Sequence, residues 1–135
     1  MEKDEMVSGA LEGKSILVVD DDPDIVQAIK AVFDGMGASV ITAGDGNSAI
    51  ERATEDEPDL IVLDAMLPGR SGFLVLEQLK RAAKNGGHCP GIIMITGNQG
   101  KRHQAWAESL GVDAYINKPF RMERLIESAE KLLAV

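Results

Sequence analysis

The stretch ILVVDDDPDI, Ile16 to Ile25, decides the fold. Its first four residues are apolar without interruption, which suits a strand covered on both faces, as in a parallel sheet, better than one with a wet face. The run stops at Asp20-Asp21-Asp22, and Pro23 follows. Asp22 fits a helix N-cap and Pro23 the first helical position, where a missing N–H costs nothing. Ile25, Ile29, Val32, Phe33 and Met36 then recur at helical spacing, and Gly35 or Gly37 closes the helix.

Further along, short apolar runs alternate with longer amphipathic stretches. Val40-Ile41, Leu60 to Leu63, Ile92 to Ile95 and Ala114 to Ile116 read as four more strands. Helical stripes run from about Asn47 to Glu57, Gly72 to Lys84, Asn98 to Leu110 and Arg121 to Leu133, the last marked by Leu125, Ile126, Ala129, Leu132 and Leu133. Regular β-α alternation predicts parallel strands joined by right-handed crossovers, hence one doubly wound, three-layer α/β sandwich with no second domain. Residues 1–13 are charged and lack periodicity, which predicts a flexible leader and a packed domain over 14–135.

With 135 residues, 44% of them hydrophobic and 27% charged, the chain can bury a core without metal or disulfide staples. Its net charge of −8 argues against nucleic-acid binding, which calls for a surplus of Lys and Arg. Cys89 is the single cysteine and stands outside any metal-ligand spacing. No apolar run approaches a membrane span, and the opening residues lack the basic start and apolar stretch of a secretory signal, so the expected location is the cytoplasm.

In open α/β sheets, ligands bind beyond the carboxyl ends of the strands. Those ends carry Asp20-Asp21-Asp22 after the first strand, Asp64 after the third, Thr96 after the fourth and Asn117-Lys118-Pro119 after the fifth. Convergent carboxylates repel one another unless a cation neutralises them. An all-oxygen set with no clustered His or Cys favours Mg²⁺ over Zn²⁺. A carboxylate beside such an ion, flanked by an ammonium and a hydroxyl, is equipped to attack phosphorus and form an acyl phosphate. Taken singly, Asp20 to Asp22 read as N-capping residues and Lys118 as a surface charge; joint placement at four successive strand ends argues otherwise.

The segments ILVVDDDPDI, LIVLDAMLPGRSGF, IIMITG and YINKPF, in this order and spacing, resemble the response-regulator receiver family of two-component and phosphorelay signalling from about Lys14 onward. The resemblance implies a flavodoxin-like sheet in the order 2-1-3-4-5, the chemotaxis-regulator arrangement. It implies Asp64 as phosphoacceptor, and Asp20, Asp21, Asp64 and the Met66 backbone carbonyl as the Mg²⁺ ligands. Thr96 and Lys118 would engage the phosphoryl oxygens, with Lys118 pairing with Asp64 before phosphorylation. Pro119 would follow a cis bond. Thr96 and Tyr115 would form the switch. The phosphodonor would be a sensor histidine kinase or a histidine phosphotransfer protein. The output would be a downstream protein, or a phosphorylation-dependent second copy of the chain, bound through the fourth helix, fifth strand and fifth helix. Such a domain catalyses its own phosphorylation and slow dephosphorylation but is not otherwise an enzyme.

Smaller features follow the same reading. Pro68 and Gly72 shape the loop beyond Asp64. Two positions depart from the family pattern: Pro90-Gly91 places one residue more than usual between that proline and Thr96, so the fourth strand is expected to bulge or start late, and Gly97, where alanine is common, leaves room beside Thr96. Met66 and Asn98 occupy positions that flank the path of attacking water in the family. His88, His103 and Trp106 read as surface or packing residues. Two rivals remain. An aspartate-nucleophile phosphatase would need a longer core and a Thr or Val where Asp24 stands. In a flavodoxin-like binder the phosphate loop would follow the first strand, which here ends in carboxylates.

Overall fold

The computed structural model describes residues 9–97 and 101–134. Among the described residues five strands and five helices alternate: β1 (Ser15–Val19), α1 (Pro23–Gly35), β2 (Ser39–Ala43), α2 (Gly46–Asp56), β3 (Leu60–Asp64), α3 (Gly72–Lys84), β4 (Gly91–Thr96), α4 (Lys101–Ser109), β5 (Ala114–Asn117) and α5 (Met122–Leu133). The strands form one parallel sheet in the order β2-β1-β3-β4-β5.

The uninterrupted apolar runs have the predicted consequence. Successive side chains of a strand point to opposite faces, and the two faces of β1 and β3 enter two separate cores. Ile16, Val18, Leu60 and Val62 pack with Ile29, Phe33, Leu125 and Ala129 from α1 and α5. Leu17, Val19, Ile61 and Leu63 pack with Ala49, Ala53, Phe73, Leu76 and Ala107 from α2, α3 and α4. A strand with an alternating polar face could not satisfy both layers.

Local signals fix the helix ends. The Asp22 carboxylate accepts from the Asp24 backbone N–H at 2.9 Å, and Pro23 opens α1. Helix α1 ends at Gly35. Gly37, with φ of +92°, lets the chain turn back so that the Ala38 N–H reaches the Phe33 carbonyl. Asp45 caps α2 through the Ser48 N–H at 2.8 Å, a bond that holds its carboxyl below the ordinary range.

Two expectations are corrected. The packed body does not begin at Lys14: Leu11 is fully buried in the α1/α5 core, and its N–H donates to the Met36 carbonyl at 2.9 Å. A single apolar residue in a turn has no periodicity to announce it. Strand β4 is neither bulged nor late, since Gly91 pairs with Leu60 and the register runs unbroken to Asp64 opposite Ile95. Gly91 is itself the first paired residue of the ladder, so the residue added between Pro90 and Thr96 is accommodated within the regular strand. Helix α4 is described from Lys101; Asn98, where it was expected to start, lies outside the described residues.

Candidate functional site

The parallel register brings the carboxyl ends of β1, β3, β4 and β5 to one edge, and with them the predicted residues. Asp20 leaves β1, Asp64 ends β3, Thr96 ends β4, and Lys118 follows β5. Among the described residues the buried polar or charged ones are Asp20, Asp64 and Thr96. Burial of polar groups is costly without partners, so their collection at one edge marks a place where the fold accepts that cost.

The partners are specific. The Lys118 Nζ donates to Asp20 Oδ2 at 2.7 Å and lies 3.5 Å from Asp64 Oδ2. The expected pairing of Lys118 with Asp64 is present, and the ammonium also bridges to Asp20, to which it sits closer. Asp20 Oδ1 accepts from the Asp22 N–H at 2.9 Å, and Asp64 Oδ1 accepts from the Met66 N–H at 3.1 Å. The Lys118 N–H donates to the Thr96 carbonyl at 2.7 Å, which ties the end of β5 to the end of β4. The Lys118–Pro119 peptide is cis.

Asp20, Asp21 and Asp64 each offer an oxygen within 4.8 Å of the others, Asp21 from the exposed side. Burial raises the Asp64 carboxyl to about 6, and the nearby Asp20 charge adds to the rise; the Met66 N–H and Lys118 oppose it. For Lys118, burial acts to lower the ammonium's value, but the bond to Asp20 and the charges of Asp64 and Asp20 outweigh it and the net shift is upward. Three ionised carboxylates against one ammonium leave uncompensated negative charge. A hard divalent cation fits this donor set by both charge and ligand type.

The loop between β3 and α3 approaches the site through glycine. A Cβ on Gly72 would collide with the Asp64 carbonyl oxygen and crowd the Ala65 Cα, so Gly72 serves close backbone approach. Pro68 contributes its carbonyl, which accepts from the Arg70 N–H at 2.9 Å and from the Gly46 N–H at 3.4 Å. The Met66 side chain is 57% exposed at the rim.

Thr96 shares the side of β4 that carries Met94, and Met94 lies opposite Tyr115 in the register. Tyr115 is half-buried against the α2–α4 core, and burial raises its hydroxyl. Trp106, 44% exposed, stacks on Phe73 with ring centroids 4.4 Å apart, and His103 lies against the same ring at 5.7 Å. His88 contacts the Pro58 carbonyl at 2.6 Å, far from the carboxylates in the fold. His103 thus packs on Phe73, whereas His88 lies at the surface and is tied to the backbone. Gly46, Asn47, Arg70 and Gln78, which bind the β3–α3 loop to its neighbours, carry no local sequence signal beyond a glycine at a helix start.

A family description, response regulator receiver domain, matches residues 16–130. This chain belongs to the response regulator receiver domain family. The receiver is 40% identical over 107 residues, 79% of its length, to the alkaline phosphatase synthesis transcriptional regulatory protein PhoP of Bacillus subtilis, of which that match covers 43%. It is 35% identical over 119 residues, 88% of its length, to the probable transcriptional regulatory protein TcrX of Mycobacterium tuberculosis, of which 49% is covered. The receiver thus spans about half the length of these curated relatives. Among solved structures, the CheY-like response regulator receiver domain protein of Methanospirillum hungatei superposes with a TM-score of 0.79 at 30% identity, covering 90% of the receiver and 94% of that chain. Among the described residues no helix is long and apolar enough to cross a membrane.

Proposed function

We propose that the receiver accepts a phosphoryl group on Asp64 from a phosphohistidine of a sensor histidine kinase or histidine phosphotransfer protein. The observation that carries this reading is the gathering of the buried polar residues Asp20, Asp64 and Thr96 at one sheet edge, with the Lys118 ammonium between the two carboxylates. An Asp64 oxygen attacks phosphorus, the P–N bond to the donor imidazole breaks, and an acyl phosphate forms. The Lys118 ammonium faces the place where negative charge grows, and the Thr96 hydroxyl stands at the end of the neighbouring strand. Asp20, Asp21, Asp64 and the Met66 carbonyl would hold Mg²⁺. When bound, that ion neutralises charge on the carboxylates and on the phosphoryl oxygens.

The new charge acts on other molecules through a face made by α4, β5 and α5. The Thr96 hydroxyl, drawn to the phosphoryl oxygens, leaves space for Tyr115 to turn inward, so phosphorylation biases a pre-existing equilibrium. The occupant of that face is a downstream protein or a second phosphorylated copy. The direct test is labelling with acetyl phosphate and Mg²⁺, read by intact mass. Wild type gains one phosphoryl group and Asp64→Asn gains none; equal labelling of the two would overturn the assignment.

A further inference from the structure

We infer that Gly46, Asn47 and Arg70 are positioning residues that hold the β3–α3 loop, and with it the Met66 carbonyl, in place for Mg²⁺. The inference rests on the proposed Mg²⁺ site and extends it to the start of α2.

The loop over residues 65–71 lies between the phosphoacceptor strand and α3, and it is anchored both locally, by the Met66 N–H on Asp64 Oδ1 at 3.1 Å and the Arg70 N–H on the Pro68 carbonyl at 2.9 Å, and by neighbouring elements. At its two ends the Ala65 N–H donates to the Ile95 carbonyl at 2.9 Å and the Gly72 N–H to the Ala65 carbonyl at 3.0 Å. Its middle is held from outside as well. The Arg70 guanidinium donates through Nε to Asn47 Oδ1 at 3.2 Å and through Nη1 to Gln78 Oε1 at 2.8 Å, which clamps the loop between α2 and α3. The Gly46 N–H donates to the Pro68 carbonyl at 3.4 Å. Gly46 is buried, and a Cβ there would collide with the Arg70 carbonyl oxygen and press on its Cβ and carbonyl carbon.

Glycine brings a helix start no advantage over alanine, because its backbone freedom is an entropic cost on folding. Its φ is not in the left-handed region, so backbone conformation does not demand it. What demands it is the loop's backbone lying against it. The helix start bears that entropic cost so that the loop can dock.

The docking matters because Mg²⁺ demands near-octahedral geometry and tolerates little misplacement of its ligands. Carboxylates on strand ends are placed by the sheet. A backbone carbonyl on a loop is placed only by whatever holds the loop, and groups that orient a metal ligand affect affinity without touching the ion. Arg70 suits this role because its planar fork meets two acceptors at once, which a lysine cannot reproduce.

The test uses Asn47→Leu, which removes the acceptor, and Asn47→Asp, which keeps it. Mg²⁺ affinity is measured by calorimetry at 0.15 M salt, and amide exchange of residues 66–70 is followed in metal-free protein. Asn47→Leu is expected to weaken Mg²⁺ about fivefold, the scale of one lost hydrogen bond, and to speed exchange in the loop, with Asn47→Asp close to wild type in both. Gly46→Ala is expected to weaken Mg²⁺ roughly tenfold or more, with thermal melting to verify that it folds. If Asn47→Leu matches wild type in affinity and exchange, or if Asn47→Asp is impaired as much as Asn47→Leu, the clamp inference falls. If wild type itself does not bind Mg²⁺, the metal site falls and this role with it, whereas faster loop exchange in metal-free Asn47→Leu reports the clamp independently.

Discussion

The two ends of the sheet use aspartate in opposite ways. At the amino end, Asp59 accepts from both the backbone N–H and the hydroxyl of Ser15, at 2.8 and 3.3 Å, and Asp113 accepts from the Ile92 N–H at 2.8 Å. Each of these carboxylates finishes a strand ladder, meets a donor, and stays at least partly in water. At the carboxyl end, Asp20 and Asp64 are buried, face one another, and share one ammonium. The residue type is the same. What differs is the surroundings: Asp20 and Asp64 each also accept one backbone N–H, but they are buried beside one another with a single ammonium between them, so their charge is less fully matched than that of an aspartate in water.

The sharpest way to break that comparison is to neutralise one aspartate at each end. Asp64→Asn should abolish phosphorylation while Asp59→Ala leaves it intact. Stability should move in opposite directions. Asp64→Asn removes a buried charge that lacks full compensation and should stabilise the metal-free protein by about 1–3 kcal/mol at pH 7.5. Asp59→Ala strips a partner from the Ser15 N–H and should cost about 1–3 kcal/mol. Denaturant unfolding of both variants with Mg²⁺ absent checks the signs; a destabilised Asp64→Asn would mean that the carboxyl end is held together by its charges rather than strained by them.

The second way is pH. The folded-state value of Asp64, about 6, lies above its ordinary 3.8, so between these values the folded protein holds more protons than the unfolded chain. The stability this group contributes is fully present below the unfolded value and is lost as pH rises through about 6. Metal-free wild type should therefore lose stability across that window more steeply than Asp64→Asn. Because Mg²⁺ needs the ionised carboxylate, the rise in melting temperature caused by Mg²⁺ should be small at pH 5 and large at pH 8. Asp21→Ala should flatten that metal-dependent rise, and a wild-type melt indifferent to Mg²⁺ at pH 8 would remove the metal from the site.

A third, smaller effect separates chemistry from output. Thr96→Ala should still be labelled on Asp64, more slowly, because the carboxylate and Lys118 remain. With beryllofluoride bound, it should show weaker NMR shift changes than wild type in α4 and around Tyr115, and Thr96→Ser should restore them by returning the hydroxyl. Wild-type changes confined to the loops beside Asp64 would leave the α4–β5–α5 face without a role.

Much of the carboxyl end was legible because it depends on order along the chain. Uninterrupted apolar runs dictate two-sided burial, two-sided burial dictates parallel strands, and parallel strands put Asp20, Asp64, Thr96 and Lys118 at one edge. What the sequence could not reveal depends on distances between segments. Spacing cannot say that Lys118 lies nearer Asp20 than Asp64, since both aspartates end neighbouring strands. It cannot reveal that Leu11 reaches the core, because one apolar side chain in a turn has no period. Nor can it pair Arg70 with Asn47 across 23 residues. The Pro90-Gly91 expectation failed for a related reason: whether Gly91 pairs as an ordinary strand residue depends on its partner Leu60, 31 positions away, and not on spacing along the chain.

The smallest expected effect concerns the lifetime of the phosphorylated form. Met66 stands two residues beyond Asp64, and its side chain is exposed at the rim of the site while its N–H is committed to Asp64 Oδ1. A thioether is at best a weak acceptor and offers no N–H, so it cannot orient a water toward phosphorus as an amide can. Hydrolysis of the acyl phosphate needs that water in line, and orientation supplies part of the rate. Met66→Asn should therefore shorten the lifetime, by about two- to tenfold given that one hydrogen bond at an exposed rim is worth about 1 kcal/mol. The backbone carbonyl at this position is unchanged by the substitution, so Mg²⁺ affinity should stay near the wild-type value, and calorimetry on the same variant checks this. Asn98, the other residue expected to flank the water, lies outside the described residues, which makes Met66 the cleaner probe. Decay of the phosphorylated protein, followed by intact mass after rapid removal of acetyl phosphate, gives the rate directly. A Met66→Asn lifetime equal to that of wild type, with Mg²⁺ binding intact, would mean that water reaches phosphorus by a path this side chain does not control.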